Sequence, residues 1–343
     1  MSRSYGIVYD KSGTAIAEIR ATFARSWVLN EWGTCTFSLA ASDPKCREDY
    51  LAFGNHLVVI SEDDNLPQWG GIIVERSWGD RTVTVKCHEA AWILERRIGK
   101  SFVKLSIHPS QFFQELVRQA NAWHDTLLRE TYVWFGGFIK AEEVRPVPLF
   151  DYLKKLSDGS GNDWSVEPVI SRGHLTYAAN WHDKRGVAVA VPLEEGTPAA
   201  NIERREPILN EYGGEIANEF FGYGEGATWP NRKTHRAADS ASAGEYGWQE
   251  EGLAVNSAEQ SKVDANTVAE LSRRKNPVRM VRLVALNRGG LFQWLRIGNL
   301  FPVKLHRAGF LGDKSGWNGI VRILAMGYSD AGTVELSVGV YYG

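Results

Sequence analysis

Two stretches of the chain, far apart, carry the same cadence. Residues 69–85 read WGGIIVERSWGDRTVTV and residues 317–338 read WNGIVRILAMGYSDAGTVELSV. Each opens on Trp-x-Gly-Ile, runs on as an apolar strand, meets a Gly/Asp turn and returns as an alternating strand. Val83, Val85 and Cys87 share one face of the first returning strand. Val334, Leu336, Val338 and Val340 share one face of the second. Successive side chains of a strand point to opposite faces, so this period of two marks half-buried β-structure. The likeness extends upstream. Phe53-Gly54-Asn55 leads into an apolar strand and a polar turn before Trp69, and Ile297-Gly298-Asn299 does the same before Trp317. The repeat signature is therefore Gly54, Asn55, Trp69 and Gly71 in the first copy, and Gly298, Asn299, Trp317 and Gly319 in the second. Gly71 and Gly319 are expected where a bulge or a crossing strand brings backbone close. Antiparallel hairpins in general share alternation and turn chemistry, so a fortuitous likeness is the competing reading. The common order of Gly-Asn, strand, turn, Trp-x-Gly-Ile, strand, turn, strand favours duplication. Two copies do not favour a solenoid or a propeller.

Between the copies the pattern changes. From Tyr5 to Cys87 the segments are short, rich in Val, Ile, Thr and aromatics, and punctuated by Gly, Asp, Asn and Ser, as strands are. In residues 108–123, Phe112, Phe113, Leu116, Val117, Ala120 and Trp123 recur at three- and four-residue spacing and predict an amphipathic helix, with Pro109 in its first turn. A second short helix is predicted through LFDYLKKLSDG, stopping at Asp158-Gly159, followed by two strands around Arg172-Gly173. Ser240–Gly244 reads as a loop. Ser257, with Gln260 three residues on, predicts a capped helix over about 257–275, ended by Arg273-Arg274-Lys275 and Asn276-Pro277. The division expected is a first β-barrel domain over residues 1–100, a central α/β module over 101–200 and a second barrel over 201–343. The fold class expected is mainly β, with two β-barrel domains around a small α/β insertion.

Composition narrows the function. The 343 residues suit two or three domains, and an apolar share of 43% with 23% charged residues supports buried cores. A net charge of −2 gives no basic footprint for nucleic acid, though it allows a pore through which DNA passes without sticking. Cys35, Cys46 and Cys87 form no CxxC pair, so a disulfide framework or zinc site is not expected; they read as small buried thiols in a reducing compartment. The N-terminal residues do not read as a signal peptide, and no apolar run is long enough to cross a bilayer. The 34 glycines and 13 tryptophans point to tight turns and large flat anchors.

The residues that carry the repeat also carry a resemblance. Gly54-Asn55, Trp69-Gly70-Gly71-Ile72, residues 88–97 (HEAAWILERR), Tyr246-Gly247, Gly298-Asn299 and Trp317-Asn318-Gly319-Ile320 occur in an order similar to that of the tail-hub proteins of long-tailed bacteriophages. The resemblance spans almost the whole chain. It implies a virion structural protein, not an enzyme, that forms a homotrimer in which two tube-like barrels per subunit make a pseudo-hexameric ring. Such a ring adapts a sixfold tail tube to a threefold tip and surrounds the channel for DNA ejection. The partners implied are the tail tube or distal-tail ring, tip or fibre proteins, and a tape-measure protein. DNA would pass without specific binding, and no membrane anchor is implied. Assembly in the host cytoplasm and residence in the virion tail follow. A hub of a related injection machine, such as a tailocin or gene-transfer particle, is the near variant of this reading.

Candidate chemistry is thin. His88-Glu89-Ala90-Ala91-Trp92 resembles an HExxH zinc motif, but Trp92 stands where the second His is needed. Gly222-Tyr223-Gly224-Glu225-Gly226 does not open an apolar helix, as a phosphate-cradling loop would, and reads as a turn. The acidic neighbours Asp63-Asp64, Glu142-Glu143, Glu194-Glu195 and Glu250-Glu251 read as solvated turns. No catalytic residue, metal ligand or cofactor site is assigned. A cell-wall- or carbohydrate-binding β protein is the rival, motivated by the tryptophans, with an undetected acid pair as the enzymatic alternative.

Overall fold

The computed structural model describes residues 4–62, 65–99, 108–122, 124–131, 147–203, 208–212, 216–225, 232–255, 257–306, 316–329 and 332–341. The elements in chain order are β1 (Ser4–Tyr9), β2 (Ala15–Ile19), β3 (Ala24–Val28), β4 (Thr34–Ala40), β5 (His56–Ser61), β6 (Trp69–Trp78), β7 (Thr82–Glu89) and a 3-10 turn at Ala90–Arg96. Then come α1 (Pro109–Asn121), β8 (Leu128–Glu130), α2 (Leu149–Ser160), β9 (Asp163–Ser171), β10 (His174–His182), β11 (Leu193–Glu195) and β12 (Ile208–Tyr212). The remainder is β13 (Glu219–Gly224), β14 (Thr234–Ala238), α3 (Ser240–Tyr246), β15 (Glu250–Val255), α4 (Gln260–Arg274), β16 (Val278–Leu286), a 3-10 turn at Leu291–Trp294, β17 (Leu300–Leu305), β18 (Trp317–Ser329) and β19 (Thr333–Val340). The fold is mainly β.

The chain divides into two compact units, Met1–Pro207 with Arg282–Gly343, and Ile208–Val281. The large unit is built on one long ladder in the order β16-β19-β18-β3-β4-β7-β6-β5-β1-β2, antiparallel from β19 to β2, with β17 beside β18 and β11 parallel to β17. The first hairpin copy is β5-β6-β7 and the second is β17-β18-β19. The β3–β4 hairpin stands between them, pairing β18 on one side and β7 on the other. No sheet closes into a barrel among the described residues.

The central segment adds a three-stranded sheet, β8-β10-β9, with α1 and α2 against it. His108 caps α1 by accepting from the Ser110 N–H, with Gln111 completing a capping box and Pro109 in the first turn. Helix α2 runs past the expected stop at Asp158-Gly159 and ends at Gly161, whose φ of 68° provides the left-handed cap. Arg172 and Gly173, with φ of 51° and 81°, form the tight β9–β10 turn. Phe112, Phe113, Leu116 and Val117 of α1 enter one buried cluster with Leu149, Leu153, Trp164 and Trp181, and with Ile72 and Leu94 of the first copy. The helical stripe seen in the sequence is therefore the face that joins this segment to the ladder.

In the small unit, β14-β13-β15 form a sheet under α4, around Ala217, Phe220, Ala237 and Leu271. Two sequence expectations change here. Residues 240–246 are helical, because Asp239 caps α3 by accepting from the Ser242 N–H. Helix α4 begins at Gln260, three residues later than expected; the Ser257 hydroxyl accepts from the Glu259 N–H in the preceding turn.

Candidate assembly site

The two Gly-Asn turns are built alike. Gly54 and Gly298 have φ of 82° and 88°. The Gly54 N–H donates to Ile73 O at 3.2 Å, and the Ile73 N–H donates back to Asn55 O at 2.9 Å. The Gly298 N–H donates to Ile323 O at 2.9 Å, and the Ile323 N–H donates back to Asn299 O at 3.0 Å. Both Asn side chains are buried and donate to the carbonyl five residues upstream, Asn55 to Tyr50 at 3.2 Å and Asn299 to Trp294 at 2.9 Å. Beyond each turn, the long strand bulges at one residue, Val74 in β6 and Leu324 in β18. Glycine is required because left-handed backbone carries a steric cost for a side chain, and Asn because a buried amide must find partners.

The Trp-x-Gly pieces sit differently. Counted from the Asn, Val59 pairs with Trp69 and Val303 pairs with Gly319. Trp69 and Trp317 are therefore two residues apart in register, and Gly319 holds the place of Trp69. The local device is still shared. A Cβ on Gly71 would lie 2.4 Å from the Trp69 ring, and one on Gly319 would lie 2.5 Å from the Trp317 ring. Each Trp folds over the Gly two positions on. A shift of two keeps every side chain on its face of the sheet, so this device can slide where a shift of one could not. A Cβ on Gly71 would also lie 2.1 Å from the His88 carbonyl oxygen, whereas the three atoms nearest a Cβ on Gly319 all belong to the Trp317 ring, and the bulge lies further along in each copy, at Val74 and Leu324. Trp69 is fully buried and donates from Nε1 to Ser26 O at 3.1 Å, whereas Trp317 is half-buried.

The copies also differ in what covers their outer strand ends. By the shared register, Trp78 corresponds to Tyr328 and Arg76 to Met326. Tyr328 and Met326 are 2% and 1% exposed, with β3 paired alongside them and the Arg25 guanidinium 4.9 Å from the Tyr328 ring. Trp78 is 54% exposed, and Phe53, on whose ring Arg76 stacks at 4.2 Å, is 53% exposed.

A buried carboxylate ties the central segment to the second copy. Asp163, at the start of β9, accepts from Asn30 Nδ2 at 3.0 Å and from the Arg185 N–H at 2.7 Å, and is ion-paired with Arg322 of β18. Arg322 also donates to Arg185 O at 3.0 Å and to Gly298 O at 3.3 Å. Gly186 and Gly298 meet backbone to backbone: a Cβ on either would lie 2.2 Å from the other's segment. The Val187 N–H donates to Asn299 Oδ1 at 2.9 Å, which completes this seam.

The chemical candidates resolve into structure. Glu89 ends β7 and accepts from the Gly33 N–H, while His88 and Trp92 pack edge to face with centroids 5.3 Å apart. Burial pushes the Glu89 carboxyl up to about 8. Glu89 shares a cavity with Glu31, Glu167, Arg185 and Arg296, and Arg185 pairs with Glu167 at 2.9 Å. Gly222 lies within β13, where a Cβ would meet Thr267 Oγ1 of α4 at 1.9 Å, so its role is close helix–sheet packing. Glu194 and Glu195 lie in β11, and Glu250 and Glu251 in β15, where Glu251 pairs with Arg274. Asp63-Asp64, Glu142-Glu143 and Gly226 lie outside the described residues. No group of three metal-ligating side chains occurs among the described residues. Trp69, Trp164 and Trp181 are core residues, whereas Trp78, Trp248 and Trp294 are exposed, so the tryptophans divide between core and surface.

The architecture is shared with solved structures. The 43 kDa tail protein of prophage MuSo2 from Shewanella oneidensis is 12% identical with a TM-score of 0.65, over 98% of each chain. The prophage tail protein gp18 of Listeria monocytogenes is 11% identical with a TM-score of 0.61, over 97% of this chain and 94% of that one. A tail protein of Neisseria meningitidis is 12% identical with a TM-score of 0.61, over 98% and 96%. No protein-family model and no curated protein sequence matches the chain. The chain has the fold of phage tail proteins, the group that the sequence resemblance named, and it is mainly β as expected.

Proposed function

We propose that the chain is a structural tail-hub subunit of a phage tail or a related injection particle. The observation that carries this reading is the paired occurrence, in one ladder, of the same Gly-Asn turn, bulge and hairpin, within a chain that has the tail-protein fold. In this proposal residues 1–100 and 201–343 contribute one copy each, and residues 101–200 join them. The signature residues Gly54, Asn55, Trp69, Gly71, Gly298, Asn299, Trp317 and Gly319 are structural. Three chains then offer six equivalent hairpins, and the barrel expected from the sequence is completed by the ring of subunits. A cyclic ring closes through heterologous contacts, and two equivalent modules per chain double its apparent order. Such a ring would meet a sixfold tail tube or distal-tail ring on one side and threefold tip or fibre proteins on the other, around a path for DNA and tape-measure protein. No enzymatic step and no cofactor is part of this reading.

The test is the mass and symmetry of the purified full chain. Light scattering is expected to give three times the 38.3 kDa chain mass, alone or on mixing with tube protein. Averaged particles viewed end-on are expected to show six similar densities around a hole. A chain that stays monomeric at all concentrations, and ignores tube subunits, overturns the proposal.

A further inference from the structure

A cleft of about 840 Å³ opens where the first Gly-Asn turn meets the central segment. Pockets of about 300–1,000 Å³ enclose most of a small ligand, so this one has room for a short stretch of chain. Its floor is apolar: Ile72, Ile73 and Ile93 are almost fully buried, with Trp92 beside them. Its rim is cationic. Lys11, Arg96 and Arg97 line it, and none of the three forms an ion pair among the described residues. Arg96 stacks on Trp92, its guanidinium carbon 5.6 Å from the ring centroid. Arg97 Nε is withdrawn from water without a hydrogen-bond partner, a deficit that an incoming carboxylate would relieve. The one carboxylate among the described lining residues, Asp125, is already engaged: both its oxygens accept from Arg129 at 2.7 Å.

His56 adds a buried acceptor. It is 5% exposed and lines the cleft. The Tyr177 hydroxyl donates to Gly71 O at 3.2 Å, so it accepts from His56 Nδ1 at 3.1 Å. Burial lowers the His56 pKa to about 4, so near neutral pH the ring is uncharged and Nε2 carries a lone pair. No donor reaches that nitrogen among the described residues. The second copy shows what such a turn takes. There a run of chain, Arg185–Ala188, lies against Gly298-Asn299: the Val187 N–H donates to Asn299 Oδ1 at 2.9 Å, and Ala188 bridges Leu300 in parallel. In the first copy the Lys11 side chain is the group nearest a Cβ on Gly54, and Asn55 Oδ1 receives no donor among the described residues. We propose that this cleft binds a short segment of a partner protein, one carrying carboxylates beside an aliphatic or aromatic side chain. Its carboxylates pair with Arg96, Arg97 and Lys11, its apolar side chain covers Ile73 and Trp92, and a backbone N–H donates to His56 Nε2. Guanidinium–carboxylate pairs fix geometry as well as charge, and an apolar anchor in a pocket carries much of the affinity. A nucleic-acid strand fits less well, because its phosphates need a longer basic track than three cations over an apolar floor. The site is complete within one chain, so it stands whether or not three chains form a ring.

The experiment screens the full-length chain against a displayed library of random linear heptapeptides and measures the leading peptide by calorimetry. Enriched sequences are expected to place Asp or Glu beside Ile, Leu, Phe or Trp. Lys11→Glu combined with Arg96→Glu, both at exposed positions, is expected to weaken the leading peptide about tenfold or more. The control pair Arg81→Glu with Arg172→Glu changes the charge equally at exposed positions that do not line the cleft, and is expected to leave binding unchanged. Hydrogen exchange of the unsubstituted chain gives a reading that no variant can spoil: the peptide is expected to slow exchange at residues 92–97 and 124–126. A library without enrichment, leading peptides without acids, no greater weakening by the cleft pair than by the control pair, or slowing confined to other segments overturns the proposal. Displacement of the peptide by equimolar single-stranded DNA also overturns it and makes the cleft a nucleic-acid site.

Discussion

Replacing Gly298 with Ala is expected to cost far more than the same change at Gly54, although the two turns share their hydrogen bonds. At both positions an added Cβ meets the steric penalty of left-handed backbone, about 1–2 kcal/mol, since φ is 82° and 88°. At Gly54 little else happens. The nearest atom to the new Cβ is Lys11 Cε, 3.3 Å away at the far end of a flexible side chain. At Gly298 the Cβ would lie 2.2 Å from Arg185 O, against 3.4 Å for an ordinary contact. The Arg185–Gly186 backbone would have to retreat by about an ångström, an overpacking that costs about 1–3 kcal/mol. It cannot retreat freely, because Arg185 N donates to Asp163 and Arg185 O accepts from Arg322. The expected losses are therefore about 1–2 kcal/mol for Gly54→Ala and about 2–5 kcal/mol for Gly298→Ala. Urea unfolding followed by tryptophan fluorescence, at matched protein concentration, measures both. Gly186→Ala, whose Cβ would lie 2.2 Å from the Gly298 carbonyl carbon, is expected to match Gly298→Ala, and the double variant to lose less than the sum. Equal losses at Gly54 and Gly298, or full additivity of the Gly186 and Gly298 changes, would refute the backbone-to-backbone account of this seam.

Asp163→Ala removes the acceptor shared by Asn30, Arg185 and Arg322. It leaves the largely buried Arg322 guanidinium without its counter-charge, so a loss of about 3–5 kcal/mol is expected in the same unfolding assay. Glu89→Gln addresses pH. The Glu89 carboxyl is raised from an ordinary 4.5 to about 8 in the folded chain, mainly by burial. A carboxyl with a raised folded pKa contributes fully below its unfolded pKa and loses that contribution as pH rises through the folded value. The Gln variant, neutral throughout, is therefore expected to gain stability relative to the parent between about pH 4.5 and 8, and parallel pH–stability profiles for the two proteins would contradict this.

Much of the ladder was legible because its signals are local. Alternation at Val83, Val85 and Cys87, the Gly-Asn turns and the α1 stripe each follow from steric rules that act over a few residues. What stayed hidden depends on partners distant in sequence. The Trp-x-Gly alignment looked natural in the sequence, but register is set by pairing with β5 and β17, and a slip of two leaves every face unchanged. The α3 segment looked like a loop because Ser, Ala and Gly lack a stripe, although Asp239 supplies the cap that starts a helix. Nothing local marks Asp163 as the partner of Asn30 and Arg322, which lie more than a hundred residues away on either side. The contrast between Trp78 and Tyr328 was likewise invisible, since both are aromatic residues before a turn, and only the ladder order reveals that β3 lies beside one of them.

That contrast gives the duplication its physical meaning. The two hairpins agree in turn, bulge and returning strand, the parts that would repeat around a ring, and differ in their flanks. Strand β5 is bordered by β1, antiparallel, whereas β17 is bordered by β11, parallel, and by the Gly186–Gly298 seam. In the proposed ring of subunits the hairpins follow one another at equivalent spacing and the flanks alternate between two kinds. Successive hairpins then look alike to a partner that reads the shared strands, while a partner that reads the flanks meets each kind once per chain. A single duplicated chain thereby presents twice as many equivalent sites through one set of residues as through the other, which is the property a symmetry adaptor needs. Strengthening the likeness of the flanks would erase that distinction without touching the ladder, so the divergence at Gly186, Asp163 and Arg322 is as much a part of the proposed function as the identity of the Gly-Asn turns.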